Sequence, residues 1–115
     1  MEFLGRERAV LDELLPGLDK TLADADLMEL EKPGGPGIAA FTAARGPALM
    51  VPTEHAGLGA DPLRAVRVQR AVGARMPSVA VATTMHHYSI ATLVETSRLS
   101  SGFAEGRARR SWCPP

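Results

Sequence analysis

The amino-acid sequence predicts an all-α fold, a small bundle of four to five helices with an irregular C-terminal tail. Three observations point there. Apolar residues return every three or four positions in several stretches, the spacing that lays them along one face of a helix. Strong helix punctuation separates those stretches: Pro16-Gly17, the run from Lys32 to Gly37, Gly46-Pro47, Asp61-Pro62 and Pro77-Ser78. Aromatic residues are scarce, and Phe3, Phe41, Tyr88, Phe103 and Trp112 are all there are. A core must then rest on Ala, Leu, Val, Ile and Met, a mixture that suits close-packed helices better than a β-sandwich. At 115 residues the chain makes one domain at most.

The first helix is expected over about 2–15. Phe3, Leu4, Val10, Leu11, Leu14 and Leu15 fall on one arc, with Arg8, Asp12 and Glu13 largely outside it. Pro16-Gly17 stops it. A second helix over about 20–30 contributes Leu22, Met28 and Leu30, with Thr21 and Asp24 in a capping-box-like spacing. The Gly- and Pro-rich run from Lys32 breaks the chain, and a short Ala-rich helix restarts over about 36–45. Residues 46–60 read as an ordered, extended loop.

Asp61-Pro62 is the clearest helix start. An Asp side chain can cap free backbone N–H groups, and Pro at the first helical position loses nothing by lacking its own. The helix over 61–75 has Ala65, Val68 and Val72 on its apolar face, with Arg64, Arg67 and Arg70 opposite. Pro77-Ser78 opens the last helix, 78–97. Val79–Val94 carries no charge in sixteen residues, so the helix belongs in the middle of a bundle, with Val79, Met85, Ile90, Leu93 and Val94 largely buried. Beyond Arg98 the periodicity dissolves, and 106–115 are expected to be irregular.

Charge and cysteine content exclude several classes. The 13 acidic and 13 basic residues cancel, but residues 1–32 sum to −5 and residues 98–115 to +3. That is no broad basic footprint, so no nucleic-acid partner is expected. The lone Cys113 excludes an internal disulfide and fits a reducing, cytoplasmic setting. Met1–Leu15 alternates charge with leucine, unlike a signal peptide. The uncharged run falls short of the ~20 mainly apolar residues of a membrane span.

Two segments resemble the acyl-CoA dehydrogenase family. Leu49-Met50-Val51-Pro52-Thr53-Glu54-His55-Ala56-Gly57-Leu58-Gly59-Ala60-Asp61 looks like the loop between helices of that family's first domain. Pro52, Glu54, Gly57, Leu58 and Gly59 match, while His55 replaces the usual aromatic and Ala56 the usual Gly. Met76-Pro77-Ser78 leading into Val79–Val94 is similar to the long small-residue helix that follows. The resemblance covers about residues 1–97, an N-terminal-like helical domain.

A shorter match, Ser101–Arg107, looks like the strand opening the family's middle β-domain, where Phe103, Ala104 and Glu105 would lie near the flavin ring. Between Glu95 and Leu99 about two dozen family residues are missing, and Ala108–Pro115 resembles nothing in the family. Residues 98–115 thus read as a remnant of that β-domain's start and an unrelated tail.

The resemblance implies a fragment or truncated relative of an FAD-dependent oxidoreductase of fatty acid metabolism that oxidises acyl-CoA thioesters. In full-length members, FAD accepts the β-hydride and a catalytic glutamate removes the α-proton. Both lie in domains this chain lacks, so no catalytic residue is carried over, and no FAD binding or turnover is expected of it alone. Met85, His86 and Ile90 would help wall the acyl-chain pocket. The alternative is a small helical interaction module, pairing with itself or a partner through exposed apolar surface.

Other residues invite function on weaker grounds. His86 and His87 are adjacent, about 100° apart on a helix, whereas helical metal pairs use i, i+3 or i, i+4 spacing. No metal site is expected, and the two histidines read as satisfied within or beside a packed helix. The Gly-rich Lys32–Gly37 stretch and Ser100-Ser101-Gly102 lack the order of a phosphate loop. Cys113 has no basic neighbour with a histidine to activate it.

Overall fold

The computed structural model describes residues 3–110, with 102–110 as a backbone trace. Six α-helices and no strand are found among them. These are α1 (Gly5–Leu14), α2 (Leu18–Asp24), α3 (Leu27–Glu31), α4 (Pro36–Ala43), α5 (Pro62–Arg75) and α6 (Pro77–Arg110). The all-α class is the one the sequence predicts. The count exceeds it because the expected second helix is two, α2 and α3, separated at Ala25-Asp26. Asp26 is extended, and its carboxylate accepts from the Met28 N–H at 3.4 Å, which caps a new helix instead of continuing the old one. Thr21 starts nothing. The chain turns at Gly17 (φ +83°), α2 begins at Leu18, and the Thr21 hydroxyl donates back to the Gly17 carbonyl at 2.9 Å.

The core lies between α5 and the N-terminal helices. Val68, Ala71 and Val72 of α5 pack with Leu11 and Leu15 from the first helix and its C-cap, Leu18 and Leu22 of α2, Phe41 of α4 and Leu49. Asp61 caps α5 as expected, accepting from the Arg64 N–H at 2.8 Å. The arginines of α5 are not idle on a wet face. Arg64 meets Glu13 at 2.7 Å, Arg70 meets Glu7 at 2.8 Å, and Arg75 meets Asp19 at 3.1 Å. The acidic N-terminal segment is thereby tied along the basic helix. Such half-exposed pairs contribute modestly each, but they set which face of α1 docks.

The last helix departs from expectation twice. It is not central. Val79 is buried, but Ile90 and Val94 are half-buried, and Met85 and Leu93 are both 65% exposed. Absence of charge was a sound reason to expect cover, but α6 packs mainly against α5, with the turn at Gly46–Ala48 beside it, and the rest of its surface stays open. The central helix is α5, whose four buried positions face the N-terminal helices.

Nor does α6 end at Ser97. It runs on through Arg110, so Ser101–Arg107 is helix where the resemblance called for a strand. No proline interrupts 98–110, and Leu99, Ala104, Glu105 and the arginines all favour helix, so Gly102 and Gly106 alone do not break it. At 1.5 Å per residue its 34 residues span about 51 Å, much of the 71 Å long axis of the molecule. The end of the expected irregular tail, 111–115 with Trp112 and Cys113, lies outside the described residues.

Candidate functional site

The loop that resembles the family motif is compact rather than extended. After the 3-10 turn Gly46–Ala48, the chain doubles back on itself. The Leu58 N–H donates to the Ala48 carbonyl (3.0 Å), the Gly59 N–H to Val51 (2.9 Å) and the Ala60 N–H to Leu49 (2.9 Å). A second 3-10 turn, Thr53–His55, makes the tip, and the Arg45 guanidinium clamps it by donating to the Ala56 carbonyl. Gly57 is required because a methyl there would run into the Val51 carbonyl, and Gly59 because its φ is +66°. Leu49 is fully buried and fixes the loop to the core. The loop thereby becomes a rigid shelf beside α6.

The N-terminus of α6 is held by α3. The Glu31 carboxylate accepts from the Ser78 backbone N–H at 3.2 Å and from its hydroxyl, satisfying an orphan helix donor and placing negative charge at the positive end of the helix dipole. One turn further on, Gln69 of α5 donates to the Ala80 carbonyl (2.9 Å) and to the Thr84 hydroxyl (3.1 Å). These bonds fix the α5–α6 spacing.

The two histidines fare differently. The His86 Nε2 lies 2.7 Å from the Pro47 carbonyl, which can only accept, so this nitrogen carries the proton and ties α6 to the shelf. His87 is 5% exposed, edge-on to Phe41 with ring centroids 6.1 Å apart, and neither of its ring nitrogens has a hydrogen-bond partner. Burial, and then the neighbouring His86, hold its pKa below the ordinary 6.5, so it is neutral at pH 7. The expectation that both histidines are satisfied holds for His86 and fails for His87. Among the described residues no three His, Cys, Asp or Glu side chains come together.

Between α5 and α6 runs an open groove of about 480 Å³. Val66 and Gln69 border it from α5, and Ala80, Thr84, His87 and Tyr88 from α6. No carboxylate lines it. Its one charge is Arg70, already paired with Glu7. A second cleft of about 270 Å³ lies between the shelf (Val51, Pro52, Glu54, His55) and Ile90, Leu93 and Val94.

The three residues expected to wall an acyl pocket are therefore dispersed. Ile90 lines the second cleft, His86 is engaged with Pro47, and Met85 faces outward and lines neither. The groove is walled instead by Ala80, Thr84 and Tyr88, one per helical turn at i, i+4 and i+8, a stripe the sequence displays but that smaller and polar side chains made easy to overlook.

Phe103, Ala104 and Glu105 sit in helical backbone, whose N–H and C=O groups are already paired within α6. In this setting they do not form the strand edge that the resemblance places beside a flavin. The groove and the second cleft are both open-sided, and neither encloses a group as large as FAD.

No family model matches the chain. Nor does any solved structure match it significantly. The chain is similar to isobutylamine N-hydroxylase of Streptomyces viridifaciens. The two are 37% identical over 137 aligned positions, which take in all of this chain and 36% of the relative. This chain thus spans little more than a third of the protein it matches. Its 115 residues also leave at least 22 of the 137 aligned positions without a counterpart here. No helix among the described residues is long and apolar enough to cross a membrane.

Proposed function

We propose that the chain corresponds to the N-terminal helical portion of an acyl-CoA dehydrogenase-like flavin enzyme of the cytoplasm, and that by itself it supplies one wall of a substrate site without turnover. The observation that carries this is the bare apolar face of α5 and α6. Val66, Val81 and Tyr88 are each more than half exposed there, around a groove that has no closing side. Soluble domains seldom leave such a contiguous face uncovered unless something packs on it. A relative about three times as long, aligned along the whole of this chain, is consistent with further polypeptide doing so.

Within such an assembly the groove takes the aliphatic part of a substrate. Its exposed lining is mainly apolar, Arg70 is already paired with Glu7 and no carboxylate is offered to a cation, so an alkyl or acyl chain fits it and a cationic head would lie outside. The relative's name makes isobutylamine its substrate, whereas the family resemblance points to an acyl thioester. Both carry an aliphatic group. FAD, held by the parts this chain does not include, would supply the redox chemistry. The described residues would shape the pocket, exclude water from it and keep α5 and α6 in register through Gln69.

A chimera tests the correspondence. Residues 1–94 of this chain replace the aligned segment of the Streptomyces viridifaciens enzyme, and N-hydroxylation of isobutylamine is measured. Retained activity, lost again when Thr84 and Ala80 are both replaced by Phe to fill the groove, is the expected outcome. A chimera with native helix content and activity indifferent to that filling would overturn the proposal.

A further inference from the structure

We infer that, in the chain as it stands, the exposed face of α6 is covered by a second copy lying antiparallel to it. Val81, Met85, Tyr88, Thr92, Glu95 and Leu99 follow one another at spacings of four and three in strict alternation, and all six are exposed. That is the 3.5-residue period of a helix seam that seeks another helix. Four of the six are large and apolar, and the stretch from Val81 to Leu99 is about 27 Å long at 1.5 Å per residue.

Reversed, the seam maps onto itself in register. Turned about a point level with Ile90, it lays Val81 on the partner's Leu99, Met85 on the partner's Glu95 and Tyr88 on the partner's Thr92. A twofold dimer requires this kind of match, since each contact must occur twice.

Charge selects the direction. The N-terminal end of α6 is docked on α3 through Glu31 and Ser78, beside the exposed Asp26 and Glu29. Residues 26–32 around α3 carry three acids and one lysine, whereas residues 98–110 carry four arginines and one acid. Antiparallel packing brings the basic end of each α6 towards the acidic α3 corner of the other copy. Parallel packing would instead set Glu95 against the partner's Glu95 and the two basic ends together, which costs energy. This inference is independent of the flavin reading, since it uses only the surface of the chain alone.

The test uses the full chain. Light scattering after size exclusion should give a dimer at tens of micromolar, and Met85→Glu with Tyr88→Glu should give a monomer of unchanged helix content. In a Cys113→Ser background, Val81→Cys combined with Leu99→Cys should cross-link between copies under mild oxidation at least tenfold faster than either alone, because a disulfide needs Cα atoms within ~7 Å. A monomeric parent chain would overturn the inference. So would a dimer untouched by the Glu pair, or Val81→Cys alone cross-linking as fast as the pair, which would mean parallel packing.

Discussion

Leu11→Ala and Leu93→Ala remove the same atoms from two helices and should have very different consequences. Leu11 is fully buried between α1 and α5, so its loss leaves a cavity in the main core. Comparable buried Leu→Ala changes cost about 2.7–5 kcal/mol, and about 3 kcal/mol is expected here. Leu93 is 65% exposed. Full burial of a leucine is worth about 1.5–3 kcal/mol, and roughly a third of that is at stake, so its removal should cost under about 1 kcal/mol. For a domain of about 100 residues each kcal/mol moves Tm by roughly 4–8 °C. Leu11→Ala should therefore melt some 12–24 °C below the parent and Leu93→Ala within a few degrees of it. Circular dichroism melts at one fixed protein concentration make the comparison. Equal losses in the two variants, or a larger one at Leu93, would refute the placement of the core between α5 and the N-terminal helices and restore α6 as the centre.

Three further outcomes follow from particular contacts. His87 has a folded pKa held below its unfolded value, so the unfolded chain binds more protons, and stability should fall as pH drops from about 6.5 towards the folded pKa, by at most about 1.4 kcal/mol per pH unit. His87→Phe should flatten that slope in urea titrations at pH 5 to 7. Gly57→Ala must push the shelf off the Val51 carbonyl, and a loss of roughly 1–3 kcal/mol with slower-moving amides lost from residues 49–60 in hydrogen exchange is expected. Glu31→Gln removes the charge at the start of α6 while keeping an acceptor for Ser78, and should cost about 0.3–1 kcal/mol, an effect that high salt diminishes.

How much of this could be read from the residues depends on the range of the cause. Asp61-Pro62 and Pro77-Ser78 located the starts of α5 and α6 because caps and prolines act within a single turn. Ala65, Val68 and Val72 were recognisable as a core face because their neighbours at the opposite angle are arginines. What the arginines do was not legible, since Glu7, Glu13 and Asp19 are more than fifty residues away along the chain. The burial of α6 was misjudged for a related reason. An uncharged helix announces that it will be covered, but not whether the cover is in the same polypeptide. The groove escaped notice because its wall is a stripe of Ala80, Thr84 and Tyr88, whereas Met85 and Ile90 drew attention by size. His87 gave no sign that it would be buried without a partner, because that depends on where Phe41 comes to rest.

The central claim is that this chain holds one wall of a flavin enzyme's substrate site and no means of turnover. The most direct measurement supplies the purified 115-residue chain with FAD, a range of acyl-CoA thioesters and an artificial electron acceptor, and follows reduction of the acceptor. The account predicts a rate indistinguishable from that of the mixture without protein. Turnover that tracks the chain through purification and vanishes when it is removed would contradict it, since it would require a bound flavin and a base that the described residues do not provide.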